Sequence, residues 1–254
     1  MRQLPVIEGI FGPTLMQLDR ILQSQGFGSR KECRKLVRDG AVKIAGEVVT
    51  DPFAEYDETG LIFEIGEWEW EYSEKVYVAL CKPAGYECSH KPKHNESVYY
   101  LLPEPLIERG VQSVGRLDVD TTGLLLFSDD GQFIHAISNA KKQVTKGYRA
   151  TTNQAVRDEE IAALLAGVQL IDEPEPVAAL EARKVGEHQI ELVIDHGKYH
   201  LVKRMIAAAG NHVDALHRFA VGGLSLEDGS LPELEPEDWC YLRPRHLELL
   251  GYKP

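Results

Sequence analysis

The spacing of hydrophobic and polar positions changes several times along the chain, and each change predicts an element. Asp19-Arg20-Ile21-Leu22 predicts a short first helix. Ser29-Arg30-Lys31-Glu32 has the capping-box pattern, with Ser29 as N-cap and Glu32 reaching back, so a second helix runs from there to about Asp39. Gly40 supplies its left-handed stop. Cys33, Leu36 and Val37 fall on one side of that helix and face a core. Val42-Lys43-Ile44, Ala45-Gly46 and Glu47-Val48-Val49 read as a hairpin around a turn. Further on, Val76-Tyr77-Val78-Ala79-Leu80 is an alternating strand and Lys82-Pro83-Ala84-Gly85 a turn. Val111 to Val114 and Leu124 to Phe127 predict two more strands. From Tyr199 to Ala209, Val202, Met205, Ile206 and Ala209 form one apolar stripe, ended by Gly210-Asn211.

These elements predict an α+β fold. A small helix–helix–hairpin module covers 16–62, an acidic linker 63–74, and a larger domain 75–254. The larger domain is expected to be a mixed, mostly antiparallel sheet with flanking helices. Residues 1–15 read as an N-terminal tail with no assigned function.

Charge sharpens that division. The net charge of −12 argues against nucleic acid, but its distribution does not. Residues 16–50 carry seven Lys or Arg against four Asp or Glu, whereas 51–74 carry nine acids and no base. In the second helix Lys31, Arg34, Lys35 and Arg38 recur at i, i+3, i+4 and i+7, a single basic stripe suited to a row of phosphates. A basic solvated face is the alternative. No apolar run approaches the roughly 18 residues of a membrane span. The N-terminus lacks the apolar centre of a secretory signal. Cys33, Cys81, Cys88 and Cys240 form no CxxC pair, which fits a reduced cytoplasm. His90 and His94, with Cys81 and Cys88, are too irregularly spaced for zinc, and no metal is expected.

Chemistry concentrates in Gly115-Arg116-Leu117-Asp118-Val119-Asp120-Thr121-Thr122-Gly123, a polar loop between two predicted buried strands. Asp118 follows Leu117 and lies beside a hydrophobic wall, where a carboxylate is partly stripped of water. An Asx-turn or helix cap would equally suit an aspartate there. Asp120 has the spacing of a divalent-metal partner but no accompanying ligands, and reads as structural.

The segment GRLDVDTTGLLLFSDDG closely resembles the signature of pseudouridine synthases acting on ribosomal RNA. LCKPAGYECS, KGYRA at 146–150 and HGKYHLVKRMIAAAGNHVDALHRFAVGGLSL at 196–226 extend the likeness. Over about 16–62, the order LDRIL…GFGSRKECRKLVRDGAVKIAGEVV resembles the RNA-binding domain named after ribosomal protein S-four. The best match is the small-subunit type, whose members modify one uridine of 16S rRNA. The resemblance implies that Asp118 starts the breaking of the uracil–ribose bond, either by attacking the sugar or by removing its 2′ proton. The freed base then rotates and bonds to the sugar through C5, with no cofactor. It also implies that Tyr148 packs on the flipped uracil, that Leu216 lids it and that Arg116 fills its gap or holds its phosphate.

Alignment with the family places the active-site base at Lys203, about 110° from the centre of its helix's apolar stripe, with Arg204 about 150° away. Lys203 is therefore favoured as the cation beside Asp118, and Arg204 as a phosphate or structural contact. Leu201 stands where this family often has Gln, which removes a local polar contact. Ribosomal RNA is the expected partner, the cytoplasm the compartment, and a monomer the state. A target in 23S rRNA or tRNA, or a non-catalytic RNA-binding assembly factor, are the competing readings.

Overall fold

The computed structural model describes residues 15–139 and 142–253. Residues 1–14, most of the expected tail, lie outside them. Among the described residues no helix is long and apolar enough to cross a membrane. The chain divides into two compact units: the small one ends at Glu74 and also takes in Glu104–Arg109, and the large one holds the rest.

In the small unit, helix Leu18–Ser24 packs on helix Arg30–Arg38. The predicted capping box is present: the Ser29 N–H donates to Glu32 Oε2 at 2.7 Å, and the Glu32 N–H donates to Ser29 Oγ. Gly40 takes φ +71°, the left-handed stop. The hairpin Val42–Ile44 with Glu47–Val49 turns at Ala45 and Gly46, both at positive φ, the geometry a two-residue hairpin needs. Leu18, Ile21, Leu22, Cys33, Val37, Val42 and Phe63 are buried together.

One boundary differs from expectation. Residues 63–74, read as an acidic linker, belong to the small unit's sheet. Strand Ile62–Ile65 pairs with Val42–Ile44 on one side and with Trp68–Glu71 on the other. Phe63 is 1% exposed and pairs with Trp70, so alternate residues fill the core while the glutamates face out. A period of two hidden in a charge-rich run is a strand, not a connector.

The large unit is built on a nine-stranded sheet. Its main path runs Glu181–Gly186, Gln189–Ile194, Lys146–Thr152, Val213–Val221, Thr121–Ser128, Tyr77–Lys82 and Trp239–Tyr241. All neighbours along that path are antiparallel except Thr121–Ser128 with Val213–Val221, which are parallel. The strand Thr121–Ser128 is buried along nearly its whole length, as its continuous apolar run dictates. Helices Gly131–Ser138, Asp158–Ala166, Leu201–Ala208 and Pro244–Leu249 flank the sheet. The main core lies among Ala79, Leu124, Leu126, Phe133, Leu224 and Leu247.

The parallel seam positions the site. Its register places Thr121 opposite Leu216 and Gly123 opposite Arg218. Gly123 adopts φ +102°, and a Cβ there would stand 2.3 Å from the Arg218 carbonyl oxygen. Only glycine permits this approach, so the chain on either side of the seam is held in one place.

Candidate active site

Asp118 lies in the loop between Gln112–Ser113 and Thr121–Ser128, at the wall of a cavity of about 410 Å³. That volume is within the range of small-ligand sites. Arg116, Tyr148, Leu216 and Arg218 also line it, as do Lys146, Tyr199 and His200. The loop is anchored by Leu117, which is buried, and by Lys82 beneath it. Lys82 is fully buried at the end of a central strand. Its ammonium donates to the carbonyls of Pro83 and Thr121 at 2.9 Å, Asp118 at 3.2 Å and Val119 at 3.3 Å. Burial pushes this lysine below its ordinary range. Two backbone bonds complete the loop: the Thr121 N–H donates to Asp118 O, and the Gly85 N–H donates to Val119 O.

Two basic side chains face the Asp118 carboxylate, whose side chain is 31% exposed. Lys203 Nζ is 3.7 Å from Oδ2, and His200 Nε2 is 3.3 Å from Oδ1. The helix that carries Lys203 begins at Leu201, with Val202, Met205 and Ile206 buried as their stripe predicts. Lys203 also meets a second carboxylate. Its closer partner is Asp120, whose Oδ1 and Oδ2 lie at 2.6 and 2.8 Å, so the lysine spans both carboxylates. Its hydrogen bond holds Asp120 below the usual carboxylate range. Asp120, read from the sequence as structural, is thus the nearer partner of the lysine that also faces Asp118.

Sequence reasoning missed three groups here. His200 takes a left-handed backbone, φ +48° and ψ +30°, uncommon for a residue with a side chain. That turn directs its ring to Asp118, and Tyr199 stacks on it at 3.7 Å. Lys82 read only as the start of a turn, although a lysine ending a wholly apolar strand points into the protein. Arg218 alternates with Leu216, which places both on one face of their strand.

The remaining predicted residues divide. Tyr148 (9% exposed) and Leu216 (6%) lie in the cavity wall on adjacent strands. Arg116 is exposed at the cavity's rim. Leu201 is buried and also lines the cavity, so the departure from glutamine leaves an apolar patch there. Arg204 does not line the cavity; it donates to the Tyr199 carbonyl at 3.3 Å and lies 3.6 Å from Asp172. Of its two expected roles, this geometry matches the structural one.

In the small unit, Lys31, Lys35 and Arg38 are exposed as a basic face requires. Arg34 is not free: its Nε donates to Asp19 at 2.7 Å, a carboxylate with no exposure that Arg30 also contacts. The four-base stripe is thus a three-base face with one arginine turned to an ion pair. Among the described residues no group of three or more His, Cys, Asp or Glu could hold a metal. His90 stacks on Tyr99 at 3.7 Å.

Comparison with known proteins decides the family. Residues 76–208 match the RNA pseudouridylate synthase model. The chain belongs to the RNA pseudouridylate synthase family. In this synthase, residues 16–52 match the S4 domain. It is 37% identical over 240 residues to "Ribosomal small subunit pseudouridine synthase A" of Vibrio parahaemolyticus, covering 92% of this chain and 98% of the relative. The protein of that name from Escherichia coli K12 is 34% identical over 218 residues, covering 85% and 94%. A solved pseudouridylate synthase crystal structure superposes with a TM-score of 0.64 at 32% identity, covering 92% of this synthase and 99% of that chain.

Proposed function

We propose that this synthase isomerises one uridine of 16S ribosomal RNA to pseudouridine, with Asp118 as the residue that starts the reaction. The observation that carries the reading is the Asp118 carboxylate at the wall of a nucleoside-sized cavity, with Lys203 and His200 facing it. The small-subunit target rests on the relatives named for that substrate.

The target nucleotide leaves its helix, because the sugar–base bond is out of reach within a stack. Tyr148 offers a ring face to the extruded uracil, and base–aromatic stacking contributes about 1–3 kcal/mol. Leu216 closes the apolar side. Lys203 and His200 face the Asp118 carboxylate and hold it aimed at the ribose. Once the C1′–N1 bond breaks, the base turns and C5 bonds to C1′, as the C1′–Asp118 bond breaks or the 2′ proton returns; C5 then releases its proton and N1 takes one up. Atoms are conserved, no electrons are gained or lost, and the chemistry requires no cofactor. Arg116 at the rim and the exposed Lys31, Lys35 and Arg38 hold phosphates, and the enzyme works as a monomer in the cytoplasm.

The test is a pseudouridine map of 16S and 23S rRNA and tRNA from cells lacking the protein. One missing 16S position, restored by the wild-type chain and not by Asp118→Asn, is the expected result. A missing position in 23S rRNA or tRNA would overturn the target. Restoration by Asp118→Asn would overturn the role of the aspartate.

A further inference from the structure

The cavity contains two cations that the steps above leave unused. Arg218 is 5% exposed, lines the cavity, and pairs across the sheet with Tyr148. Its Nε donates to the Leu124 carbonyl at 2.8 Å, which fixes the plane of the guanidinium. Lys146 lies on the strand that carries Tyr148 and also lines the cavity. Its Nζ donates to the Val144 carbonyl at 2.5 Å. Burial first, and the nearby Arg218 second, push Lys146 below its ordinary range. Among the described residues neither cation lies within ion-pair distance of a carboxylate. Asp195, the acidic group whose charge Lys146 feels, stands beyond it, tied to His196 and Gln143.

Two like charges side by side, desolvated and without an anion, are an arrangement that folding alone disfavours. They make sense where the ligand brings the negative charge. The reaction generates one. When C1′–N1 breaks by either route, its electron pair stays on the base, and the charge spreads over N1 and the two carbonyl oxygens. We propose that Arg218, supported by Lys146, is a further catalytic residue that holds the detached uracil anion by its carbonyl edge while Tyr148 covers its face. The inference rests on Asp118 initiating the reaction. Arginine suits the task because its planar fork stays charged at any working pH and is less strongly hydrated than an ammonium. The gain falls on the charge that develops during bond breaking, so it appears in the rate and not in RNA affinity. A backbone phosphate is the rival anion.

The experiment uses the full chain in single turnover on an RNA fragment with the target uridine, or with 5-fluorouridine, whose base departs more readily as an anion. Loss of the N-glycosidic linkage is followed. Arg218→Met is expected to lower the rate on uridine about 10²–10³-fold, as removal of an oxyanion donor does. RNA affinity and its salt dependence should stay at wild-type values, the defect should shrink on the 5-fluoro substrate, and Arg218→Lys should recover part of the rate. Weaker RNA affinity, with a salt slope reduced by about one, would assign the arginine to a phosphate and overturn the proposal. So would a wild-type rate, or equal defects on both bases. Should Arg218→Met fail to fold, Lys146→Met carries the same comparison, and equal defects there also overturn it. Asp118→Asn runs in parallel: activity in that variant would show that the underlying reading, not the role of Arg218, had failed.

Discussion

Replacing Lys82 by Met tests how far the loop of Asp118 depends on what lies beneath it. The side chains have similar volume, so the change removes the ammonium and little packing. Of the four carbonyls it contacts, those of Asp118 and Val119 keep a backbone donor, whereas those of Pro83 and Thr121 lose the ammonium that approaches them most closely. Two weakened buried acceptors cost about 2–6 kcal/mol at about 1–3 each. Removing a buried charge without a carboxylate partner returns about 1–4 kcal/mol. The midpoints of the two ranges leave a net loss of about 1.5 kcal/mol, read as a lower urea midpoint at unchanged slope. The effect on rate should be larger, because a shift of about 1 Å at a reacting group can cost about 10²-fold. Single-turnover pseudouridine formation measures it. A variant that loses stability yet reacts at the wild-type rate would refute the coupling between Lys82 and the aim of Asp118.

Gly123→Ala should destabilise the large unit by about 3 kcal/mol or more, since its Cβ meets the Arg218 carbonyl at a positive φ; a wild-type melting temperature would contradict the close approach. Neutralising Lys31, Lys35 and Arg38 together should reduce the salt slope of RNA binding by about two to three. Arg34→Gln should instead lower stability by about 1–2 kcal/mol, because Asp19 keeps only Arg30; a slope change equal to that of its neighbours would return Arg34 to the RNA face. Burial holds His217 below its ordinary value near 6.5. Its contribution is therefore fully present above pH 6.5 and lost as pH falls through the lower folded-state value, so His217→Gln should flatten the acid side of the stability profile.

Local rules made much of this protein legible. The capping box at Ser29 and Glu32 and the hairpin turn at Ala45-Gly46 are settled by neighbouring residues, and the structure follows them. The loop from Gly115 to Gly123 was recognisable because its residue types are distinctive in sequence. What stayed hidden depends on distant partners. Arg34 looked like a surface base until Asp19 folded against it. The run Glu67-Trp68-Glu69-Trp70-Glu71 showed its charge more loudly than its alternation, so a sheet edge read as a linker. His200, Lys82 and Arg218 gain their meaning only when three strands and a helix terminus meet, which no spacing along the chain announces.

The parallel seam at Gly123 has an evolutionary consequence. Because the backbones at Gly123 and Arg218 touch, the loop of Asp118 and the strand that carries Leu216 and Arg218 cannot drift apart independently. The two sides of the cavity are inherited as one rigid block. A descendant that acquired a different RNA would have to change its rim, its surface loops or its S4 domain, leaving the chemistry untouched.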